Sequence, residues 1–444
     1  MEKRVMVAGA GKSGTAAVKM MLGLNREVLL YDSNPDARTD ISDSRLSVVF
    51  GELPPEELTD IEYCVISPGI DTGVPFVQML KNAGIPVISE IQAAFDQEKG
   101  CLAAITGTNG KTTTTALTGA ILQKKYRKTF TVGNIGIPYT QTCTESDGES
   151  VTVLETSSFQ LETITDFHPH VSAILNITPD HLNRHHTMEN YISVKESITK
   201  NQDPTDFCVL NYEDPELRRF GTGGECAAKT VFFSSETLLD NGYCLEGDCI
   251  CRRIGGESQP VISVRDLNII GKHNYENAMA AIAIASCMGV KDEQIREACT
   301  EFQAVEHRIE FVREVSGVRY YNDSKGTNPD AAIKAVLAMP GPICLIGGGY
   351  DKGSEYDEWV DTFRGRVKKL VLIGVTREKI AACCRKHGFR DYIFASTFEE
   401  AIKVCSAYAD RGDCVLLSPA CASWDMFPNY EERGRIFKEI VNRL

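Results

Sequence analysis

Apolar residues along this chain come in short runs bounded by turn residues, alternating with longer stretches of helical spacing. RVMVAG, EVLLYD, LSVVF, EYCVISPG and IPVIS fill the first ninety positions, with a helix expected from about Thr15. Such alternation predicts a doubly wound α/β fold. A second series runs through CLAAITG, TFTVGN, VTVLETSS, VSAILNIT and DFCVLNYED, then a strand-rich patch at about 229–270 and the helical NYENAMAAIAIASCMG. Within that patch Asn241-Gly242 reads as a hairpin turn. A third series, from AVEHRIEFV through GVRYYNDS, ICLIGGG, KLVLIG, DYIFAS and CVLLSPA, again alternates strand and helix. The expectation is three α/β domains at 1–93, 94–303 and 304–444.

Composition narrows what such a chain can do. The 444 residues are 43% hydrophobic and 24% charged, values of an ordinary globular protein. No window offers ~18 consecutive apolar residues, and the N-terminus lacks a signal-peptide pattern, so a cytoplasmic protein without membrane contact is expected. Net charge is −14, which argues against nucleic-acid binding and leaves any anionic ligand to local loops. The sixteen cysteines are scattered without a Cys-x-x-Cys pair, and they read as small buried apolar residues with no metal role.

Two loops supply candidate chemistry. GAGKSG, with Gly9, Gly11 and Gly14, follows a strand and opens a helix, and Asp32 ends the next strand. This is a dinucleotide fingerprint in its proper context. It fits NAD, or a smaller nucleoside-diphosphate sugar, because the α/β run stops near residue 90. The second loop, ITGTNGKTT, also joins strand to helix, with two residues between Gly107 and Gly110 where the general phosphate loop has four. Backbone NH groups and the helix N-terminus would face a phosphate, Lys111 would reach the β/γ positions, and the Thr112 hydroxyl would suit Mg²⁺. Thr114 and Thr115 read as helix packing or surface. Glu155, ending VTVLE, and His181, following the strand of ILNITPDH, are candidate partners in the same crevice. His168, His170, His185 and His186 match no zinc spacing and read as mostly exposed.

These blocks resemble the Mur ligases of peptidoglycan synthesis. GTNGKTTT, GNIG, ETSSFQLE, LNITPDHLNRH, GKHNYENAMAA, HRIE, YYNDSKGTNPDA, GGGYDKG and SPACASWDMFPNYEERG stand in the order found in that family and cover essentially the whole chain. Folylpolyglutamate synthases share the short loop but lack the N-terminal glycine turn. The resemblance implies an N-terminal Rossmann-like UDP-binding domain, a central P-loop ATPase-type domain with a mostly parallel sheet, and a C-terminal Rossmann-like domain. It implies a monomeric ligase that uses ATP and two Mg²⁺ to join D-glutamate to UDP-MurNAc-L-Ala through an acyl phosphate.

By the same resemblance, Gly107, Thr108, Asn109, Gly110, Lys111, Thr112 and Thr113 bind the ATP phosphates, and Asn274, Asn277, Arg308 and Asp323 the rest of the nucleotide. Gly11, Lys12, Ser13, Gly14, Asp32, Ser33, Ser67, Asn134 and His181 would hold the UDP substrate. Lys352, Ser423, Trp424 and Tyr430 would hold D-glutamate, with Lys325 near the transferred group. Thr112, Glu155, His181 and Lys195 are the implied metal set, with Lys195 carrying a CO₂-derived carbamate.

Overall fold

Strands buried on both faces of a parallel sheet need apolar side chains at nearly every position, which the short runs supply. The computed structural model describes residues 3–134 and 136–444, and its strands form three sheets. β1 (Arg4–Ala8), β2 (Val28–Asp32), β3 (Leu46–Phe50), β4 (Ile61–Ile66) and β5 (Val87–Ser89) are all parallel, in the order β3-β2-β1-β4-β5. That sheet ends at Ser89, as the half-length α/β run predicts. The helix Lys12–Gly23 begins three residues earlier than expected, because Gly11 already serves as its N-cap.

The second sheet comprises β6 (Cys101–Thr106), β7 (Thr129–Gly133), β8 (Val151–Glu155), β9 (Val171–Ile174), β10 (Phe207–Asn211), β11 (Lys229–Ser234), β12 (Gly242–Glu246), β13 (Cys249–Ile254) and β14 (Glu257–Ser263). Their order is β14-β13-β12-β11-β10-β9-β6-β8-β7, parallel from β7 to β12 and antiparallel beyond. Asn241-Gly242 is not a hairpin turn, contrary to its sequence signal. It leads into β12, which pairs parallel to β11, and the hairpins turn instead at Gly247-Asp248 and Gly255-Gly256. The Asn241 side chain accepts a hydrogen bond from the Gly255 NH at 2.9 Å, so it stabilises the neighbouring turn.

The third sheet holds β15 (Glu310–Val315), β16 (Val318–Asn322), β17 (Ile343–Gly348), β18 (Val367–Ile373), β19 (Tyr392–Phe394) and β20 (Cys414–Leu417). Its order is β15-β16-β20-β17-β18-β19, with only β15 antiparallel. The chain divides into two compact units. One runs to Val264 and takes in Glu276–Cys299; the other is Arg265–Tyr275 with Thr300–Leu444.

In the first unit, polar side chains join the N-terminal sheet to the central one. Ser157 and Gln160 form a capping box, and Gln160 Nε2 donates to Glu90 Oε1 at 2.7 Å. Gln92 Oε1 accepts from the backbone NH groups of Thr165, Asp166 and Phe167. In the second unit the buried Arg433 guanidinium binds Ser324 Oγ and the carbonyls of Ser324, Cys421 and Ala422. It fastens the NDSKG turn to the SPACAS loop.

Burial pushes the Glu90 carboxyl up to about 7, against an ordinary value near ~4.3. Between those values the unfolded chain has lost the proton that the fold retains, so stability falls as pH rises and stays reduced above about 7. Glu90→Gln therefore raises unfolding stability by about 2–3 kcal/mol near pH 8, with the gain vanishing near pH 4. Guanidinium titrations at the two pH values check it; an equal effect at both would refute a buried titrating carboxyl.

Candidate active site

The glycine turns are shaped by close approach. A side chain at Gly14 would strike the Gly9 carbonyl, its Cβ lying 1.7 Å from that oxygen, so the first turn of the helix seats directly on the strand end. Asp32 uses both carboxylate oxygens to hold this turn, accepting from the Ala10 NH at 2.8 Å and the Asn34 NH at 2.9 Å. Gly11, Lys12 and Ser13 are exposed or half-buried at the helix N-terminus, and Lys12 Nζ donates to the Gly136 carbonyl. Ser67 Oγ is buried beside Gly9 without a partner among the described residues. An apolar cavity of about 720 Å³ lies nearby, lined by Tyr31, Ser33, Leu53, Ile70 and Phe76 among others.

The central loop leaves β6 at Thr106. Gly110 sits at φ 86°, a left-handed conformation, and a Cβ there would lie 2.2 Å from Asn277 Oδ1. The loop is held by its neighbours. Asn109 NH donates to Asn176 Oδ1 at 2.8 Å, Asn176 Nδ2 returns a bond to the Asn109 carbonyl, and Thr108 Oγ1 donates to the Thr178 carbonyl. Thr112 and Thr113 are buried in the first helical turn, and Thr114 and Thr115 are buried too, which assigns them to packing. Lys111 Nζ folds back to the carbonyls of Gly107 (2.8 Å) and Thr108 (2.9 Å).

Lys195 is 1% exposed, and its Nζ also donates to the Gly107 carbonyl, at 3.0 Å. Burial, and next the charge of Lys111, hold its amine well below the ordinary lysine range. Lys111, Lys195, Gly107, Thr108, Asn134 and His181 therefore meet around one cavity of about 270 Å³. His181 stands half-exposed at φ 53°, against Phe159 at a ring separation of 4.9 Å. Glu155 ends β8 beside β6. Its Oε1 accepts from Asn134 Nδ2 at 3.0 Å, while Oε2 is buried with no hydrogen-bond partner among the described residues. An uncompensated carboxylate oxygen of that kind is costly, and a hard cation beside Glu155 would satisfy it.

Sequence reasoning missed several residues. His185, expected to be exposed, is buried; it meets Ser158 Oγ at 2.9 Å, and burial lowers it to about 4, leaving a neutral ring. Arg184 binds Glu162 through Nε and a terminal nitrogen, donates to the carbonyls of Pro68 and Ile70, and lies 4.1 Å over the Phe159 ring. Tyr191 OH is 3.2 Å from Thr108 Oγ1. Only the Ser157-x-x-Gln160 spacing offered a signal, that of a capping box.

Asn277 belongs to the first unit, and its Oδ1 lies 3.4 Å from Thr114 Oγ1. Asn274, in the second, donates to the Ile270 carbonyl at 2.8 Å. Asp323 is buried, bonded to Ser418 Oγ at 2.7 Å, and raised to about 7 by that burial, with Arg308 among the groups that offset it. Lys325 Nζ lies 5.3 Å from the Tyr430 ring, and Lys352 Nζ lies 5.8 Å from that of Trp424. Ser423 is buried, while Trp424 is 63% exposed against Tyr350. The four residues expected around D-glutamate thus include one such pair, Lys352 with Trp424, while Tyr430 sits with Lys325.

Comparison with known proteins accounts for this arrangement. Residues 3–89 match the Mur ligase MurD-like N-terminal domain, 105–285 the Mur ligase middle domain, and 307–421 the Mur ligase glutamate ligase domain. A UDP-N-acetylmuramoylalanine–D-glutamate ligase of Lachnospira eligens is 51% identical over 100% of this chain and 99% of its own. The like-named protein of Clostridioides difficile is 44% identical with the same coverage. Among solved structures, the UDP-N-acetylmuramate–alanine ligase MurC of Thermotoga maritima shares the fold at 18% identity, with a TM-score of 0.62 over 99% of both chains. With full-length relatives at such identity and three domain models in register along it, the chain belongs to the Mur ligase family.

Proposed function

We propose that this protein is the ATP-dependent ligase that joins D-glutamate to UDP-MurNAc-L-Ala in peptidoglycan precursor synthesis, releasing ADP and phosphate. The observation that supports this best is the cavity that gathers Lys111, Lys195, His181 and Gly107 of the central loop, in a chain matched end to end by ligases of that name. A carboxylate is a poor electrophile until one oxygen becomes a leaving group. The L-alanyl carboxylate oxygen attacks the γ-phosphorus, the bond to the β-bridging oxygen breaks, and ADP departs. The D-glutamate nitrogen then attacks the acyl carbon, the carbon–oxygen bond to phosphate breaks, and the amine loses a proton.

Both reacting partners of the first step are anions, so positioning and charge neutralisation do most of the work. Lys111 exchanges its two carbonyl partners for the β/γ-phosphates, and the loop NH groups bind the same oxygens. Thr112, Glu155 and His181 would hold Mg²⁺, which neutralises phosphate charge when bound. Lys195, whose burial favours the neutral amine, is suited to add CO₂ as a nucleophile, its amine nitrogen bonding the carbon and releasing one proton. The carbamate would supply two oxygens to a second Mg²⁺ and answer the charge of Lys111.

The turn at Gly11–Gly14 with Lys12 and Ser13 receives the diphosphate; Ser33 and the 720 Å³ cavity receive the uridine; Ser67 and Asn134 face the rest of the substrate. Asp32 acts through the turn it holds. Gly107–Thr113, Asn274, Asn277, Arg308 and Asp323 are assigned to ATP. Lys352, Ser423, Trp424 and Tyr430 are assigned to D-glutamate, with Lys325 beside the transferred group. The division of labour follows 1–93, 94–303 and 304–444, in a cytoplasmic monomer.

Phosphate release across a panel of amino acids, with UDP-MurNAc-L-Ala and ATP, should respond to D-glutamate alone; turnover with another amino acid in its place would overturn the assignment. Lys111→Ala should reduce turnover by at least ~10³-fold, the scale of a lost charge-stabilising group, while UDP-substrate binding by calorimetry stays within a few-fold. Equal loss of both would contradict separate sites. Lys195→Ala should be nearly inactive and partly recover when a short carboxylate such as formate is added, and full activity without it would remove the carbamate.

A further inference from the structure

In the second unit, the helices Asp357–Asp361 and Arg377–Lys386 carry donor groups that the ligase reaction leaves unused. Asp357 and Asp361 are four residues apart on the first. Cys383 lies on the second, and His387 follows four residues later as its C-cap. Each pair therefore shares a face. An oxygen of Asp357, the Cys383 sulfur and a ring nitrogen of His387 all lie within 4.8 Å of one another. His387 is clasped at both nitrogens, with Nε2 2.8 Å from Asp357 Oδ1 and Nδ1 2.6 Å from Asp361 Oδ1.

We propose that Asp357, Cys383 and His387 form a binding site for a borderline-soft divalent cation of the zinc class, with Asp361 as the carboxylate that orients the imidazole. A set of one nitrogen, one sulfur and one oxygen donor suits Zn²⁺ and is wrong for Mg²⁺ or Ca²⁺, which take oxygen. Tetrahedral bonds of about 2.0–2.3 Å put neighbouring ligands roughly 3.3–3.8 Å apart, a small rotamer adjustment from the separations present. Asp361 accepts from Nδ1–H, which turns Nε2 toward Asp357 and the thiol, the second-layer arrangement that metal-binding histidines use.

Binding replaces the proton on Nε2 and the proton on Sγ, both released to solvent, and leaves a fourth position for water. Lys386, whose ammonium pairs with Asp357, is the cation the metal displaces; its side chain is 71% exposed and can move into water. The sequence hid this site because its ligands come from two segments, and Cys-x-x-x-His matches no standard zinc pattern.

The test is titration of the full-length protein with Co²⁺, with Mg²⁺ in large excess to occupy oxygen-donor sites. One equivalent should produce a near-ultraviolet thiolate-to-cobalt charge-transfer band and the intense visible bands of a four-coordinate ion, both bleached by Zn²⁺. C383S should lose the charge-transfer band while keeping wild-type ligase turnover, which shows that it folds. H387A and D361N should each weaken Co²⁺ binding by about 10–100-fold. The proposal falls if the wild type gives only weak six-coordinate bands, if the charge-transfer band survives in C383S, or if H387A binds as tightly as the wild type; the cluster is then an ion-paired helix contact only.

Discussion

The Gly107 carbonyl receives two lysine amines, from Lys111 at 2.8 Å and Lys195 at 3.0 Å, which places the two nitrogens within about 6 Å of each other. At that separation two ammonium charges repel by about 3 kcal/mol even at an effective dielectric near ~20. Lys195 is the buried one, so its amine is the one held well below the ordinary lysine range. Much of the surrounding structure keeps that oxygen pointing inward. Asn176 fixes the loop from β9, Thr178 takes the Thr108 hydroxyl, and Asn277 closes the space above Gly110. A side chain at Gly110 would push Asn277 away and free the loop to turn its carbonyls outward.

How the N-terminal sheet meets this centre follows from a few polar side chains rather than from apolar area alone. Arg184 reaches the carbonyls of Pro68 and Ile70 from the segment after His181, and its guanidinium lies on the ring that His181 also touches. Glu90 and Gln92, on the helix after β5, bind Gln160 and the 165–167 backbone. The expected substrate end and the expected phosphate end are thus tied through Phe159 and Arg184.

The fold was legible because its signals are local. Runs such as VLLYD and CLAAIT are apolar at successive positions, so their burial on both faces follows from their composition. The central loop's shape was legible for the same reason, since Gly110 takes a left-handed turn that opens the helix at Lys111. Arg184, His185 and Glu90 were not legible. Each takes its role from residues far away in sequence, and a charged residue in a polar loop reads as solvated until its partners are known. Asn241-Gly242 failed in the opposite sense: a strong local preference for a turn was overridden by parallel pairing of β12 with β11. Lys195 is intermediate, because its spacing matched a family pattern while its burial, which lowers the amine's proton affinity, had no trace in the helix around it.

Only two tryptophans stand in the chain, and their surroundings could hardly differ more. Trp359 is 0% exposed between Tyr356 and Phe363, whereas Trp424 lies in the open beside Tyr350 and Lys352. The indole that collisional quenchers can reach is therefore the one in the SPACASWD segment, and the other is a silent internal standard. Light emitted at longer wavelength reports on that segment alone, so the native chain already contains its own spectroscopic probe, with no label to attach.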